Sequence, residues 1–326
     1  MVNDSMRKSG RVSLKKYYDL RIFKTMKLIE YLKQLYWKGY DLYYIMLTLI
    51  SPRLNTIVLY HSKFHKWPNL SSPSNFNEKM LKLKLENYNS NPLVKRCADK
   101  YAVRGYVEEK GLGSILVPLI DAYDSPSQIK WENLPKQFVI KWNFGCHMNI
   151  VCKDISMLNK AHAIKQLSRW GGERMYLKNS ELQYDLRNSE KKVLIEEFLD
   201  NGDGESPEDF KVYCYDGKPL YFLVCRNRQK SGQADYFYFD SDWNFLPFDT
   251  KNQHLPSDVT IERPKHLNLL ISYAQILSQG FPFVRVDFYI VGDNVYFGEL
   301  TFTPCGCMDQ AITDEANRIL GQPIVI

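Results

Sequence analysis

The chain has 326 residues, with 43 Lys and Arg against 37 Asp and Glu, a formal net charge of +6 and 14% aromatic residues. That length supports two or three structural units with real cores. Residues 1–53 carry eleven basic and four acidic side chains, a net +7, so the rest of the chain sums to −1 and nucleic acid is not an expected partner. The start, MVNDSMRKSGRVSLKK, lacks the apolar segment of a secretory signal. The longest apolar run, residues 42–50, is far short of the ~20 residues of a membrane span. Seven scattered cysteines suit free thiols in a reducing compartment, and these features together predict a cytoplasmic protein.

Residues 11–50 read as two helices broken near Gly39, with Leu20, Phe23, Leu28, Tyr31, Leu32, Leu35 and Tyr36 approximating a stripe between lysines. Such a basic amphipathic segment suits an anionic membrane surface, and it equally suits a helical appendage docked on its own protein. Residues 61–77 are turn-rich and predict a linker. Ser74 or Asn75 is placed to cap the following helix, and another helix is expected over about 92–110. A strand is expected over 115–120, then strand–loop–strand over 137–153 and a polar helix over 157–170. Residues 193–199 read as a strand. Residues 209–226 read as a hairpin turning at Asp216-Gly217, and 264–279 as a helix.

The richest stretch is Phe281-Pro-Phe-Val-Arg-Val-Asp-Phe-Tyr289 followed by Val295-Tyr-Phe-Gly-Glu-Leu-Thr-Phe-Thr-Pro304, two strands around Gly292-Asp-Asn294. With those three residues as the loop and Asn294 left-handed, Asp287 lies opposite Glu299 and Arg285 opposite Thr301, all on one face. Val284, Val286, Phe288 and Leu300 take the other face and can be core. Two facing carboxylates repel, so a counter-charge is required. Arg285 can supply it alone on an exposed hairpin, or a cation such as Mg²⁺ can share the task. Cys305-Gly-Cys307 has no second Cys/His pair to complete a zinc site, and no nucleophile–base arrangement of a hydrolase is present.

Further features follow a recognisable order. Lys141 sits in an apolar strand ahead of a loop holding Gly145, and Glu196-Glu197-Phe198-Leu199 ends an acidic strand. Asp209 and Lys211 share a strand, and Arg-x-Asp with Gly-Glu-x-Thr closes the series. This order resembles the ATP-grasp fold, an α+β architecture in which two subdomains grip a nucleotide. More closely, Phe76-Asn-Glu-Lys79, Asp99-Lys100-Tyr101, Asp209-Phe-Lys211 and the two strands quoted above resemble the TupA-like ATP-grasp family. That family is named for teichuronopeptide synthesis and is found in polysaccharide biosynthesis loci. The resemblance runs from about residue 75 to the C-terminus and leaves residues 1–70 outside.

The resemblance implies a helical extension and linker at 1–72, an α/β subdomain at 73–135, a small lid at 136–195 and a C-terminal subdomain with the metal site at 196–326. It implies ATP and Mg²⁺ as cofactors. Lys100 and Lys141 would contact phosphates, and Glu196, Glu197 and Leu199 would surround adenine. Asp209 would reach the ribose or order Lys211, and Lys211 would contact a phosphate or pair with a neighbouring acid. Asp287 and Glu299 would hold Mg²⁺, with Thr301 where many ATP-grasp enzymes place an asparagine ligand. Arg285 would neutralise the transferred phosphoryl group. Arg228 reads as a substrate clamp or as a surface arginine. The loop 143–149 has one glycine where the family tends to have more.

The activity this resemblance implies is a carboxylate–amine ligase acting through an acyl-phosphate. Its acid would be a uronic acid of a surface polysaccharide or lipid-linked precursor, and its amine an amino acid or amino sugar. Residues 1–50 would then give peripheral contact with an anionic membrane at its inner face. A nucleotide-sugar glycosyltransferase using Asp240-Ser-Asp242 and a non-catalytic nucleotide-binding protein remain the alternatives.

Overall fold

The structure, a computed structural model, describes residues 31–326 apart from 34, 147, 187–190, 203–206, 227–234 and 256–260. Two antiparallel sheets organise it. Strands β1 (Leu119–Tyr123), β2 (Phe138–Trp142), β3 (Asn149–Cys152) and β4 (Val193–Glu197) form one sheet in the order β1-β4-β2-β3. Strands β5 (Asp209–Tyr215), β6 (Lys218–Arg226), β7 (Asp235–Asp240), β8 (Phe245–Leu246), β9 (Val284–Val291) and β10 (Asn294–Thr301) form the other, in the order β10-β9-β5-β6-β7-β8.

The smaller sheet is a lid with its own core. β2 alternates buried and half-buried positions, so Phe138, Ile140 and Trp142 turn toward Leu167 and Trp170 of the helix Lys160–Gly172. In the larger sheet, β5 is buried along its whole length because both faces are covered. One face carries Phe210, Val212 and Cys214 beside Phe288, Val286 and Val284, under the helix Leu267–Ser278. The other face carries Asp209, Lys211 and Tyr213 beside Tyr289, Asp287 and Arg285, and this polar face looks toward the lid. β4 lies in the lid sheet along its whole length, Glu196 pairing with both Leu119 and Val139 and Glu197 with Phe138. The division expected at residue 195/196 therefore cuts through a strand.

Several local expectations shift for identifiable reasons. The helix is continuous over 35–50, straight through Gly39, and the break falls at Ser51-Pro52. Pro52 cannot donate to the preceding turn, and the Ser51 side chain caps the new helix by accepting from the Leu54 amide. That helix, Pro52–Phe64, occupies the start of the expected linker and ends where His65 adopts φ 54°. The part of the expected 11–50 helical segment over 11–30 lies outside the described residues. The helix expected over 92–110 breaks at Asp99, whose carboxylate accepts from the Tyr101 and Ala102 amides and starts the second helix, Ala102–Glu109. The strand expected over 115–120 begins at Leu119, after Pro118.

The β9–β10 turn has two residues, Gly292 and Asp293, with Gly292 at φ 57°, and Asn294 already belongs to β10. The register still places Asp287 opposite Glu299 and Arg285 opposite Thr301, because a bulge at Gly298 restores the missing residue. A Cβ there would stand 3.0 Å from the Asp287 carbonyl oxygen. The Phe76–Leu83 helix begins at the Asn75 cap and locks the two ends of the described fold together. Lys79 Nζ donates to the carbonyls of Gly321 (2.9 Å) and Ile324 (2.8 Å), and the Asn77 amide donates to Asn317 Oδ1 (3.0 Å). Gly321 lets these segments touch, since a Cβ would lie 2.5 Å from the Phe76 nitrogen. Gly321→Ala is expected to destabilise the protein by about 1–3 kcal/mol through overpacking against backbone. A fall in the urea midpoint at unchanged slope would register it.

Candidate active site

The polar face of β5, β9 and β10 concentrates charge that its own geometry compels. Asp287 is buried between two cations. Arg285 donates from Nε to Oδ1 (2.7 Å) and from Nη2 to Oδ2 (2.6 Å), while Lys211 Nζ donates to Oδ2 (2.6 Å). Lys211 also lies 2.7 Å from Asp209 Oδ2. Burial opposes the Lys211 ammonium, but the charges of Asp287 and Asp209 outweigh it and raise its pKa. Thr301 Oγ1 donates to Glu299 Oε1 (3.0 Å) and accepts from Arg285 Nη2 (3.0 Å). Glu299 faces Arg285 at 3.6 Å and Lys100 Nζ at 3.6 Å. Burial pushes the Glu299 carboxyl up, yet Lys100, Arg285 and Lys211 hold it down at about 2. Three carboxylates are thus balanced by three cations on one ledge.

The lid supplies the opposing wall. Lys141 on β2 forms a 2.6 Å ion pair with Glu196 Oε2 on β4, and Arg104 Nη1 stands 3.7 Å from Glu196 Oε1 while donating to the Val117 carbonyl. Lys100 joins the two sides, because its Nζ donates to the Gly145 carbonyl (2.8 Å) in the β2–β3 loop. The base of that loop is fixed by Asn143, fully buried, whose Nδ2 donates to Asp99 Oδ2 (2.8 Å) and whose Oδ1 accepts from the Lys192 amide (2.9 Å). Gly145 has φ 75°, and a Cβ there would fall 2.7 Å from Met148 Sδ, so the loop's single glycine is where a turn requires one.

A cleft of about 1150 Å³ runs between ledge and lid, lined among others by Lys141, Glu196, Leu199, Asp209, Phe297 and Gly298. Glu197 also borders it, but Glu196 and Glu197 point to opposite sides of β4, the first buried and the second exposed. Lys141 and Asp209 line this cleft, and Lys211, Asp287, Arg285, Thr301, Glu299 and Lys100 follow from Asp209 as one chain of ion pairs and hydrogen bonds beyond its lining. Arg228 lies outside the described residues. Asp240 and Asp242 sit in the β7–β8 turn, where the Asp240 carboxylate is engaged by the amides of Asp242 and Asn244 and by Asn244 Nδ2. That arrangement is a turn cap and leaves no paired-acid metal site there.

The residues that sequence reasoning missed lie on the segment 177–184. Glu181 Oε1 accepts from Thr303 Oγ1 (2.6 Å), and Gln183 Nε2 donates to the same Thr303 oxygen (2.9 Å), two positions beyond Thr301. Arg104 is the other omission. Its signal, a basic residue just after Asp99-Lys100-Tyr101, was available but was not tied to Glu196.

The oxygens suit a hard cation. Glu299 is ionised over the whole neutral range, its Oε2 has Lys100 no closer than 3.6 Å, and Asp287 Oδ1 accepts only the Arg285 Nε hydrogen bond among those described. No cluster of three or more His, Cys, Asp or Glu side chains that could hold a metal occurs among the described residues, so protein ligands alone would not complete a cage. That incomplete set is typical of Mg²⁺ held jointly with phosphates. Thr301, expected as a ligand, has its hydroxyl committed to Glu299 and Arg285 and orients both.

A family model described as TupA-like ATPgrasp matches residues 78–325. The chain belongs to the TupA-like ATPgrasp family. The match takes in the lid, the ledge and the Phe76–Leu83 helix from Glu78 onward, and it fixes the fold as α+β ATP-grasp. Among solved structures the TupA-like chain is similar to D-alanine–D-alanine ligase from Bacillus anthracis complexed with ATP, at 15% identity and TM-score 0.41, covering 70% of this chain and 65% of that one. It is similar to the D-cycloserine synthetase DcsG at 13% and 0.41, covering 71% and 70%, and to the ATP-grasp ligase PsnB complexed with minimal precursor, Mg and ADP at 15% and 0.35, covering 69% and 57%. None of the curated proteins matches it.

The depressed Glu299 pKa makes a pH prediction. A group whose folded pKa lies below its ordinary 4.5 contributes stability that is complete above 4.5 and disappears as pH falls through about 2. Glu299→Gln is expected to be less stable than wild type at pH 7, with the difference closing between pH 4.5 and about 2. Urea midpoints across that range measure it.

Proposed function

We propose that the protein is an ATP-dependent carboxylate–amine ligase. The observation that supports this reading best is the cleft with Lys141 on its lid wall and Asp209 on its ledge wall, where Asp209 opens onto the paired charges of Lys211, Asp287, Arg285, Glu299 and Lys100. Such a space offers cations from both walls to a triphosphate. A bound Mg²⁺, held by Glu299 and Asp287 together with phosphate oxygens, would supply charge neutralisation to the transferring phosphoryl group.

The chain's own groups do the rest. Arg285 is held by Asp287 and Thr301 so that its guanidinium stays at the ledge. Lys141 and Lys100 add positive charge where the γ-phosphate becomes metaphosphate-like. A substrate carboxylate oxygen attacks the γ-phosphorus, the bond to the β–γ bridging oxygen breaks, and ADP leaves. An amine then attacks the acyl carbon of the acyl-phosphate, inorganic phosphate departs with the C–O bonding pair, and the amine loses a proton as the amide forms. No protein nucleophile is needed. Glu196, Glu197 and Leu199 border the adenine end of the cleft, and Asp209 is near enough to order Lys211 or meet the ribose. Arg228 remains assigned as a substrate clamp.

The acid we assign is a uronic acid of a surface polysaccharide or its lipid-linked precursor, and the amine is an amino acid or amino sugar. Residues 1–50 hold the enzyme against an anionic membrane face. The family's place in polysaccharide biosynthesis supports the substrate class, and the basic N-terminal segment supports the membrane contact.

The first test is thermal unfolding with MgATP. Ligand at about a hundred times its Kd adds roughly 2.7 kcal/mol, a rise of several degrees in wild type that shrinks in Glu299→Gln. Turnover is then followed as ATP-dependent trapping of the acyl-phosphate by hydroxylamine with uronic acid acceptors. Lys141→Ala is expected to lower that rate by about 10²–10³. A response to UDP-sugar with none to ATP would refute the ligase.

A further inference from the structure

The helix over residues 35–50 is fastened to the body by one side only. Thr48 Oγ1 donates to the Leu177 carbonyl (2.5 Å) and shares a hydrogen bond with Ser180 Oγ (2.7 Å), and Lys178 pairs with Asp41 (2.5 Å). Asn55 Nδ2 ties the helix end by donating to the Tyr44 carbonyl (2.6 Å). Tyr44 and Thr48 are buried in that contact. The opposite side is apolar and open. Leu35, Leu42, Tyr43, Met46, Leu49 and Ile50 are each 47–71% exposed. At about 100° per residue they fall within an arc of roughly 120°. Lys33, Lys38 and Asp41, the charged residues of 31–50, lie outside that arc. An amphipathic helix docked in the usual way would turn this stripe inward. Here the stripe faces outward, over a length of about 24 Å at 1.5 Å per residue.

The sequence beside this face names its partner. Residues 1–30 carry eight basic and three acidic side chains, so an uncharged insertion surface adjoins a net charge of +5. An apolar face that follows cationic charge in the sequence complements the interface of an anionic bilayer, where acyl chains lie just beneath negative headgroups. No described helix is long and apolar enough to cross a membrane. We infer that residues 35–50 form an in-plane lipid-docking helix whose Leu42–Met46–Leu49 face inserts into an anionic bilayer surface. The inference deepens the proposed membrane contact and rests on it. It assigns the contact to apolar insertion rather than to basic charge alone. It also gives the contact a direction, because the segment 177–184 that grips the helix carries Glu181 and Gln183 to Thr303, beside the ledge. Docking therefore sets the orientation of the cleft relative to the bilayer.

The test is co-sedimentation of the full chain with vesicles of 70% phosphatidylcholine and 30% phosphatidylglycerol. Wild type is expected to bind, to lose part of that binding in 0.5 M NaCl, and to bind pure phosphatidylcholine weakly. A variant with Leu42→Asp, Met46→Asp and Leu49→Asp is expected to lose at least tenfold in partitioning. Its unfolding temperature and MgATP response should stay at the wild-type values, since all three positions are exposed. Equal binding by wild type and variant would overturn the inference in favour of charge alone. A wild type that binds no vesicle would overturn it too. In that event, light scattering that finds a dimer broken by the same substitutions would give the face to a second copy, and a monomer would give it to residues 1–30. Failure of MgATP to stabilise wild type would instead strike the ligase reading and leave the vesicle result standing.

Discussion

The site is organised by a repulsion. Pairing β9 with β10 in this register sets Asp287 directly opposite Glu299, and like charges so placed cost stability unless cations intervene. Arg285 answers from the same strand, two residues before Asp287. Lys211 answers from the neighbouring strand, directly opposite Asp287, and Lys100 answers from the Asp99–Tyr101 segment. The compensation is therefore drawn from strands and helices far apart in the chain, and it forces them into one place. A metal with phosphates would enter a ledge already neutral, so it would have to displace or share these contacts rather than fill a charge deficit.

The period of the strands explains why so much of this was legible. Arg285, Asp287, Glu299 and Thr301 share a face in any register that pairs them, and the apolar residues between them leave no alternative core face. Even an incorrect loop assignment led to the correct partners, because the Gly298 bulge offsets the two-residue turn. Lys141 and Glu196 were each visible, but their 2.6 Å pairing depends on β4 inserting between β1 and β2, a long-range choice without local signature.

Other residues that carry the resemblance have structural chemistry. Phe76-Asn-Glu-Lys79 is among the residues that carry the family resemblance, and Asn77 and Lys79 serve the joint with the C-terminal helix. Asp99 is used to restart a helix and to anchor Asn143, while its neighbour Lys100 faces the ledge. The outward stripe of the 35–50 helix follows the same logic in reverse. Periodicity announced the helix, but which side docks was decided by Thr48 and Asp41 finding partners on a segment more than a hundred residues away.

β1 and β4 pair with each other where the chain enters and leaves the lid, and the Glu197 amide donates to the Pro118 carbonyl at that exit. Entry and exit therefore lie side by side. The lid is fastened at further points, because residues 177–184 bond Thr48, Asn89 and Thr303, and Asn143 bonds Asp99. The Lys100 ammonium joins the β2–β3 loop to the ledge, donating to the Gly145 carbonyl and lying 3.6 Å from Glu299. A shift of that loop therefore alters the counter-charge beside Glu299, so the shape of the lid and the electrostatics of the ledge are set by one ammonium.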